Sequence, residues 1–139
     1  QNETVASIAE LILPKTDTPG ARDAGVPAFI DVMLADWSDD EQRQMFTTGL
    51  ANVDERSRTA FGKEFIGCTP VQQSEILQDL DYELALLRDA KRDTSKNFFG
   101  AMKWLTLTGY YTSEVGATSE QHFRVVPGRY EPCYPLEQR

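Results

Sequence analysis

The sequence predicts an all-α fold, a single-domain helical bundle of about four to five helices that ends in an extended, largely irregular C-terminal tail. Three observations carry that expectation. Apolar residues recur at helical spacing in successive segments. Pro14, Pro19, Gly20, Gly25, Gly62 and Gly67 fall between those segments. Only Phe123-Arg124-Val125-Val126 has the character of a short strand. The 139 residues suit one domain, 1–139, of which residues 112–139 form the tail.

Taken in order, Thr4 to Leu13 places Val5, Ile8, Leu11 and Ile12 on one stripe, a short amphipathic helix that Pro14 ends. Lys15 to Gly25 holds Pro19, Gly20 and Gly25 among small polar residues and reads as a loop. Pro27 suits the first turn of a second helix, where its missing N–H has no intrahelical role. Phe29, Ile30, Met33, Leu34 and Trp37 follow at helical spacing. Ser38 and Glu41 make a capping box for a third helix running to about Ala60, and Asp39 and Asp40 complement the positive end of its dipole. Met45, Phe46, Leu50 and Val53 are its inward residues. Phe61 to Thr69 is a connector containing Cys68. Thr69 and Pro70 then restart a helix as N-cap and first residue. Its inward stripe is Ile76, Leu77, Leu80, Leu84 and Leu87, and the charged stretch from Ala90 to Ser95 breaks it.

The segment from Phe98 to Tyr111 differs in kind. Its apolar residues, Trp104, Tyr110 and Tyr111 among them, cover every side of a helical wheel, and Lys103 is its only charge. A helix apolar all round is buried on all sides. It lies either at the centre of this bundle or between the bundle and something else. After Tyr111 the periodicity stops, and Pro127, Pro132 and Pro135 follow. A tail this long with so little internal packing is either disordered or held on another surface. Val125, Val126, Tyr130 and Tyr134 favour the surface.

Composition narrows the function. With 22 Asp and Glu against 14 Lys and Arg, the net charge is -8, and the basic residues are scattered. A field of that sign repels phosphate backbones and anionic lipid, which argues against nucleic acid and membrane surfaces as partners. No apolar run approaches the roughly 20 residues that span a bilayer, so direct membrane insertion is not expected. The chain begins Gln1-Asn2 without methionine, consistent with removal of an upstream segment such as a signal peptide or tag, or with a chosen boundary.

Candidates for chemistry are few. His122 is the single histidine, and it lies in the loop-like stretch without a recognisable nucleophile motif nearby. A small hydrolase would have to be built around it; a surface or interface histidine is the simpler reading. Asp39, Asp40 and Glu41 could be metal ligands, but helix capping accounts for them. Asp79, Asp81 and Glu83, two residues apart on a helix, point in different directions and read as a solvated face. No glycine-rich phosphate cradle is present. No catalytic, cofactor-binding or metal site is therefore expected in this chain. Cys68 and Cys133 leave three arrangements open: a disulfide between them, a disulfide from Cys133 to a partner, or two reduced thiols.

Two long motifs lack an amphipathic explanation. One is Leu13-Pro14-Lys15-Thr16-Asp17-Thr18-Pro19-Gly20-Ala21, followed by Ala24-Gly25-Val26-Pro27-Ala28-Phe29-Ile30-Asp31. The other is Leu105-Thr106-Leu107-Thr108-Gly109-Tyr110-Tyr111-Thr112-Ser113-Glu114-Val115-Gly116. With Phe61-Gly62-Lys63, Pro127-Gly128-Arg129-Tyr130 and Pro132-Cys133, they resemble the gluconate 2-dehydrogenase subunit 3 family along nearly the whole chain. The resemblance implies a non-catalytic small subunit of a periplasmic sugar, sugar-acid or glycoside dehydrogenase complex, one that assists twin-arginine export and stabilises its partner. It implies a large flavoprotein subunit of the glucose–methanol–choline type carrying FAD, and a cytochrome c subunit carrying haem c. It implies no catalytic residues.

A large partner would cover both the over-apolar helix and the tail. The interface expected on that basis comprises Trp104, Tyr110, Tyr111, Glu114, Arg129, Tyr130 and Tyr134, since Tyr and Trp bury large areas while keeping a polar tip. The alternative for the helix is that it fills this domain's own core. The alternative for the protein is a stand-alone exported helical binding protein or chaperone that releases its client.

Overall fold

The computed structural model describes residues 2–121, Phe123 and Gly128. Five α-helices form the bundle: α1 (Asn2–Ile12), α2 (Val26–Val32), α3 (Asp40–Phe61), α4 (Pro70–Asp89) and α5 (Phe98–Thr112). Two π-helical turns, Met33–Trp37 after α2 and Gly116–Glu120 after α5, complete it with a 3-10 turn at Phe65–Gly67. The all-α expectation holds, and no strand occurs among the described residues.

Local chemistry sets the helix ends. Thr69 caps α4 as expected, accepting from the Gln72 amide while the Gln72 side chain accepts from the Thr69 amide. The box at α3 lies one residue later than expected: Asp39 and Gln42 form it, with Gln42 N–H to Asp39 Oδ1 at 2.7 Å. Ser38 is occupied elsewhere. Its hydroxyl and its amide both donate to the Met33 carbonyl, the amide at 3.0 Å across five residues, which closes the π turn. That wider turn carries Trp37 away from the stripe of Ile30, Met33 and Leu34, and the indole is 77% exposed.

The core runs through the bundle from Ile8 and Ile30 past Val53 and Phe65 to Leu84 and Met102, all fully buried or nearly so. Phe46, Leu50 and Val53 of α3 and Ile76, Leu77, Leu80 and Leu84 of α4 are buried as expected, whereas Met45 and Leu87 are only half-buried at the edge of their stripes. A buried Gln73 is fully engaged: it donates to the Phe65 carbonyl at 2.8 Å and accepts from the Ser7 hydroxyl at 3.2 Å. The pair ties α1, α4 and the 3-10 turn together, and leaves no unpaired amide to weaken the core.

Helix α5 touches α1, α2, α3, α4 and the second π turn. Phe98 enters flat against α3, where its ring meets Phe46 edge-on at 5.1 Å between centroids. Gly49 makes that approach possible, since a Cβ there would lie 2.0 Å from Phe98 Cγ. Of the two placements open to α5, the centre of the bundle does not hold on every side: Phe98, Phe99, Met102, Leu105, Thr106, Gly109 and Tyr110 are buried, whereas Trp104, Leu107 and Tyr111 are exposed in the single chain. The tail expected from Thr112 onward also begins differently. Thr112 is the last residue of α5, and the next segment turns back as the π-helical Gly116–Glu120 packed on α5. Phe123 is non-helical and unpaired with any strand, and Arg124, Val125 and Val126 lie outside the described residues.

Replacing Gly49 by alanine should lower stability. Helix propensity would gain about 1 kcal/mol, but the methyl overlaps a buried ring, an overpacking that costs about 1–3 kcal/mol. Urea unfolding should show a lower midpoint; an unchanged or raised midpoint would contradict the Phe98 packing.

Candidate partner interface

The loop from Leu13 to Gly25 is folded around one carboxylate. Glu10, at the end of α1, accepts from the Lys15 amide at 3.1 Å and the Arg22 amide at 2.9 Å. Gly20 must be small because a Cβ there would come within 2.3 Å of Glu10 Oε1. The Ala21 amide returns to the Leu13 carbonyl, which places a fully buried Ala21 in the core.

This loop is where the two long sequence motifs meet. Tyr110 reaches from α5 across the bundle and its hydroxyl donates to the Pro19 carbonyl at 2.9 Å. Thr18 donates to Glu120 of the second π turn. One residue before Tyr110, Gly109 lets Phe29 of α2 lie against the α5 backbone, with a virtual Cβ only 2.6 Å from the Phe29 ring. Ser113 caps the segment that follows, accepting from the Gly116 amide at 3.0 Å and donating to the Tyr110 carbonyl. Gly116 then packs on that carbonyl where no side chain would fit. The Thr-Asp-Thr-Pro-Gly and Gly-Tyr-Tyr-Thr-Ser-Glu motifs are thus two halves of one structural joint.

Tyr110 therefore does not belong to an exposed interface. At 3% exposure with its hydroxyl engaged, it is a core residue, which corrects the expectation placed on it. Its ring instead supports a neighbour: Tyr111 stands perpendicular to it at 5.3 Å between centroids. Tyr111, Leu107 and Trp104, spaced four and three residues apart, form one outward stripe of α5, with Trp104 60% exposed. Glu114 is exposed just beyond the end of the helix. Of the expected interface residues, Trp104, Tyr111 and Glu114 are thus on the surface. Arg129, Tyr130 and Tyr134 lie outside the described residues, as do His122 and Cys133.

Cys68 is a free, buried thiol whose Sγ lies 3.5 Å from the Glu64 carbonyl at the start of α4. Two acidic residues of α4 have partners on adjacent helices: Glu83 forms a two-pronged pair with Arg56 of α3, at 2.8 and 2.9 Å, and Asp81 takes Lys103 of α5 at 2.8 Å. These surface pairs fix register more than they stabilise.

A shallow groove of about 510 Å³ opens between α3, α4 and the start of α5, rimmed by the Arg56–Glu83 and Lys96–Glu41 pairs. The hydrogen bond that Arg56 donates to Glu83 raises its pKa, and the one that Lys96 donates to Glu41 raises that of Lys96. Both cations move further from neutrality, opposite to the tuning that acid–base catalysis uses. Among the described residues no three His, Cys, Asp or Glu side chains converge as metal ligands, and no helix is long and apolar enough to cross a membrane.

Residues 1–128 match the family model described as gluconate 2-dehydrogenase subunit 3. This chain belongs to that family. Neither the comparison with curated proteins nor that with solved structures gives a significant match. By membership it is an accessory subunit of a dehydrogenase complex, and the joint just described is made from the residues that carry the resemblance.

Two measurements check this geometry. Tyr110→Phe should cost about 1 kcal/mol, the usual net value of a hydrogen bond whose acceptor is left behind, seen as a lower urea midpoint with an unchanged slope; no loss would remove the Pro19 contact. Cys68 in the folded chain should react with a bulky aromatic disulfide reagent about a hundredfold more slowly than after unfolding, because burial protects it. Equal rates would place Cys68 on the surface.

Proposed function

We propose that this chain is a non-catalytic subunit that binds and stabilises the large subunit of a periplasmic, FAD-dependent sugar, sugar-acid or glycoside dehydrogenase, and accompanies it through twin-arginine export. The observation that carries the reading is the outer stripe of α5. Trp104, Leu107 and Tyr111 stand in solvent on the helix that every other helix packs against. An apolar stripe on so rigid a mount suits an obligate or long-lived interface, because little ordering entropy remains to oppose docking. Aromatic anchors of this type dominate the energetics of such interfaces.

In this reading the flavin belongs to the large subunit and haem c to an electron-transfer subunit. The contribution of this chain is surface and rigidity: the joint between the 13–25 loop and the end of α5 holds Tyr111 through Tyr110. The negative charge of the chain disfavours anionic lipid as an alternative occupant of the stripe. The periplasmic setting, the flavoprotein class of the partner and the export route follow from the family resemblance.

Co-expression with the large subunit should give a stable one-to-one complex. Trp104→Ala and Tyr111→Ala should each weaken it by about 2 kcal/mol, roughly thirtyfold in Kd, while leaving the urea midpoint of the free chain within about 0.5 kcal/mol. Full yield, export and turnover of the large subunit without this chain would overturn the proposal. Rapid exchange of the chain off its partner would favour a client-releasing chaperone instead.

A further inference from the structure

A second aromatic anchor stands at the corner between α2 and α3. Trp37 is the most exposed large apolar residue among those described, at 77%. Its exposure is built in. A regular α-helix continuing from Val26 would put Trp37 beside Ile30, Met33 and Leu34, on the stripe that faces the bundle. The π turn adds one residue to the last turn and swings the indole outward. Such insertions occur frequently at functional sites.

The turn that bears Trp37 is also braced. Arg43 reaches back from the first turns of α3 and places Nη1 within 2.7 Å of the Ser38 carbonyl, 3.3 Å of Ala35 and 3.4 Å of Leu34, while Nη2 holds Asp40. A guanidinium can donate to several acceptors in one plane, and here it satisfies carbonyls that the widened turn leaves open. Ser38 closes the same turn through its hydroxyl. The corner is therefore a stiff mount, and the indole on it loses little freedom on docking.

The setting of the indole is acidic. Asp36, its neighbour in the chain, is exposed and takes part in no ion pair among the described residues. Asp39 and Asp40 follow at the start of α3, and the nearby guanidinium of Arg43 is committed to the turn. An apolar knob in an acidic stretch of chain is complementary to an apolar pocket with Lys or Arg at its rim, and it is repelled by anionic membrane.

We infer that Trp37 and the aspartates that flank it in the chain form a second docking point, seated in a basic-rimmed apolar pocket of the large dehydrogenase subunit. This rests on the reading that the chain binds that subunit, but it concerns a different surface and a different physical signature. Contact through the α5 stripe is apolar and insensitive to salt; contact through the corner is screened by salt.

Oxidative footprinting of the native chain, free and in the co-expressed complex, tests it directly, because Trp37 and Trp104 are the only tryptophans and report the two surfaces separately. Oxidation of Trp37 should fall about tenfold in the complex, as expected for an indole moved from solvent into a pocket. Asp36→Lys should weaken the complex about tenfold at low salt and have little effect at roughly 0.5 M salt. A complex in which Trp104 is protected while Trp37 oxidises as in the free chain would overturn this inference and leave the α5 interface standing. Failure to form any complex would overturn both. Protection of Trp37 by phosphatidylglycerol vesicles, without the large subunit, would overturn it in favour of a lipid contact.

Discussion

The bundle depends on α5 having two unlike sides. One side carries the contacts of α1 through α4, and the packing is close enough that Gly49 and Gly109 cannot be any larger. The other side carries Trp104, Leu107 and Tyr111, all exposed. Close packing explains why these roles can coexist on one helix. A dense interior transmits position without slack, so a residue on the outer face is held as firmly as the core beneath it. Tyr110 and Tyr111 show this in adjacent residues: the first is anchored inside by its hydroxyl, and the second stands outside against its ring.

The loop between α1 and α2 is as important as any helix in fixing that arrangement. Residues 13–25 bury little apolar surface, and they cannot fold on hydrophobic burial alone. Glu10 supplies the missing order by collecting two backbone amides, and Tyr110 and Thr18 attach the loop to the far end of the chain. Each such bond contributes about 1 kcal/mol net, yet together they remove the alternatives a polar loop would otherwise sample. A small domain with a modest core gains definition in this way rather than by adding more apolar mass.

Much of this was legible in the residues. Helical periodicity placed all five α-helices, and the stripes of α3 and α4 fall on the core apart from Met45 and Leu87. Thr69-Pro70 announced its helix start because cap and first-turn proline are local chemistry. What periodicity could not show was where the period itself changes. A π turn inserts one residue without any composition signal, so Trp37 read as part of a regular helical stripe and lies outside, and the cap of α3 fell on Asp39 instead of Ser38. Tyr110 was misplaced for a related reason. A tyrosine at the end of an all-apolar helix suits an interface and a core equally well, and only the position of the Pro19 carbonyl decides between them. The joint between the two motifs spans the length of the chain, and no local pattern encodes a contact across such a separation.

Exposed aromatics on a chain of this charge also bear on solubility. Trp37, Tyr82, Trp104 and Tyr111 all face water, yet the chain carries 22 acidic residues against 14 basic ones. Excess negative charge keeps such surfaces from associating with one another, since two copies brought together would repel before the rings could meet. The same charge does not oppose a partner whose contact surface is basic. Acidity and exposed indole are therefore not separate properties of this chain: the charge discourages self-association, and in doing so it leaves the apolar anchors available for a different protein.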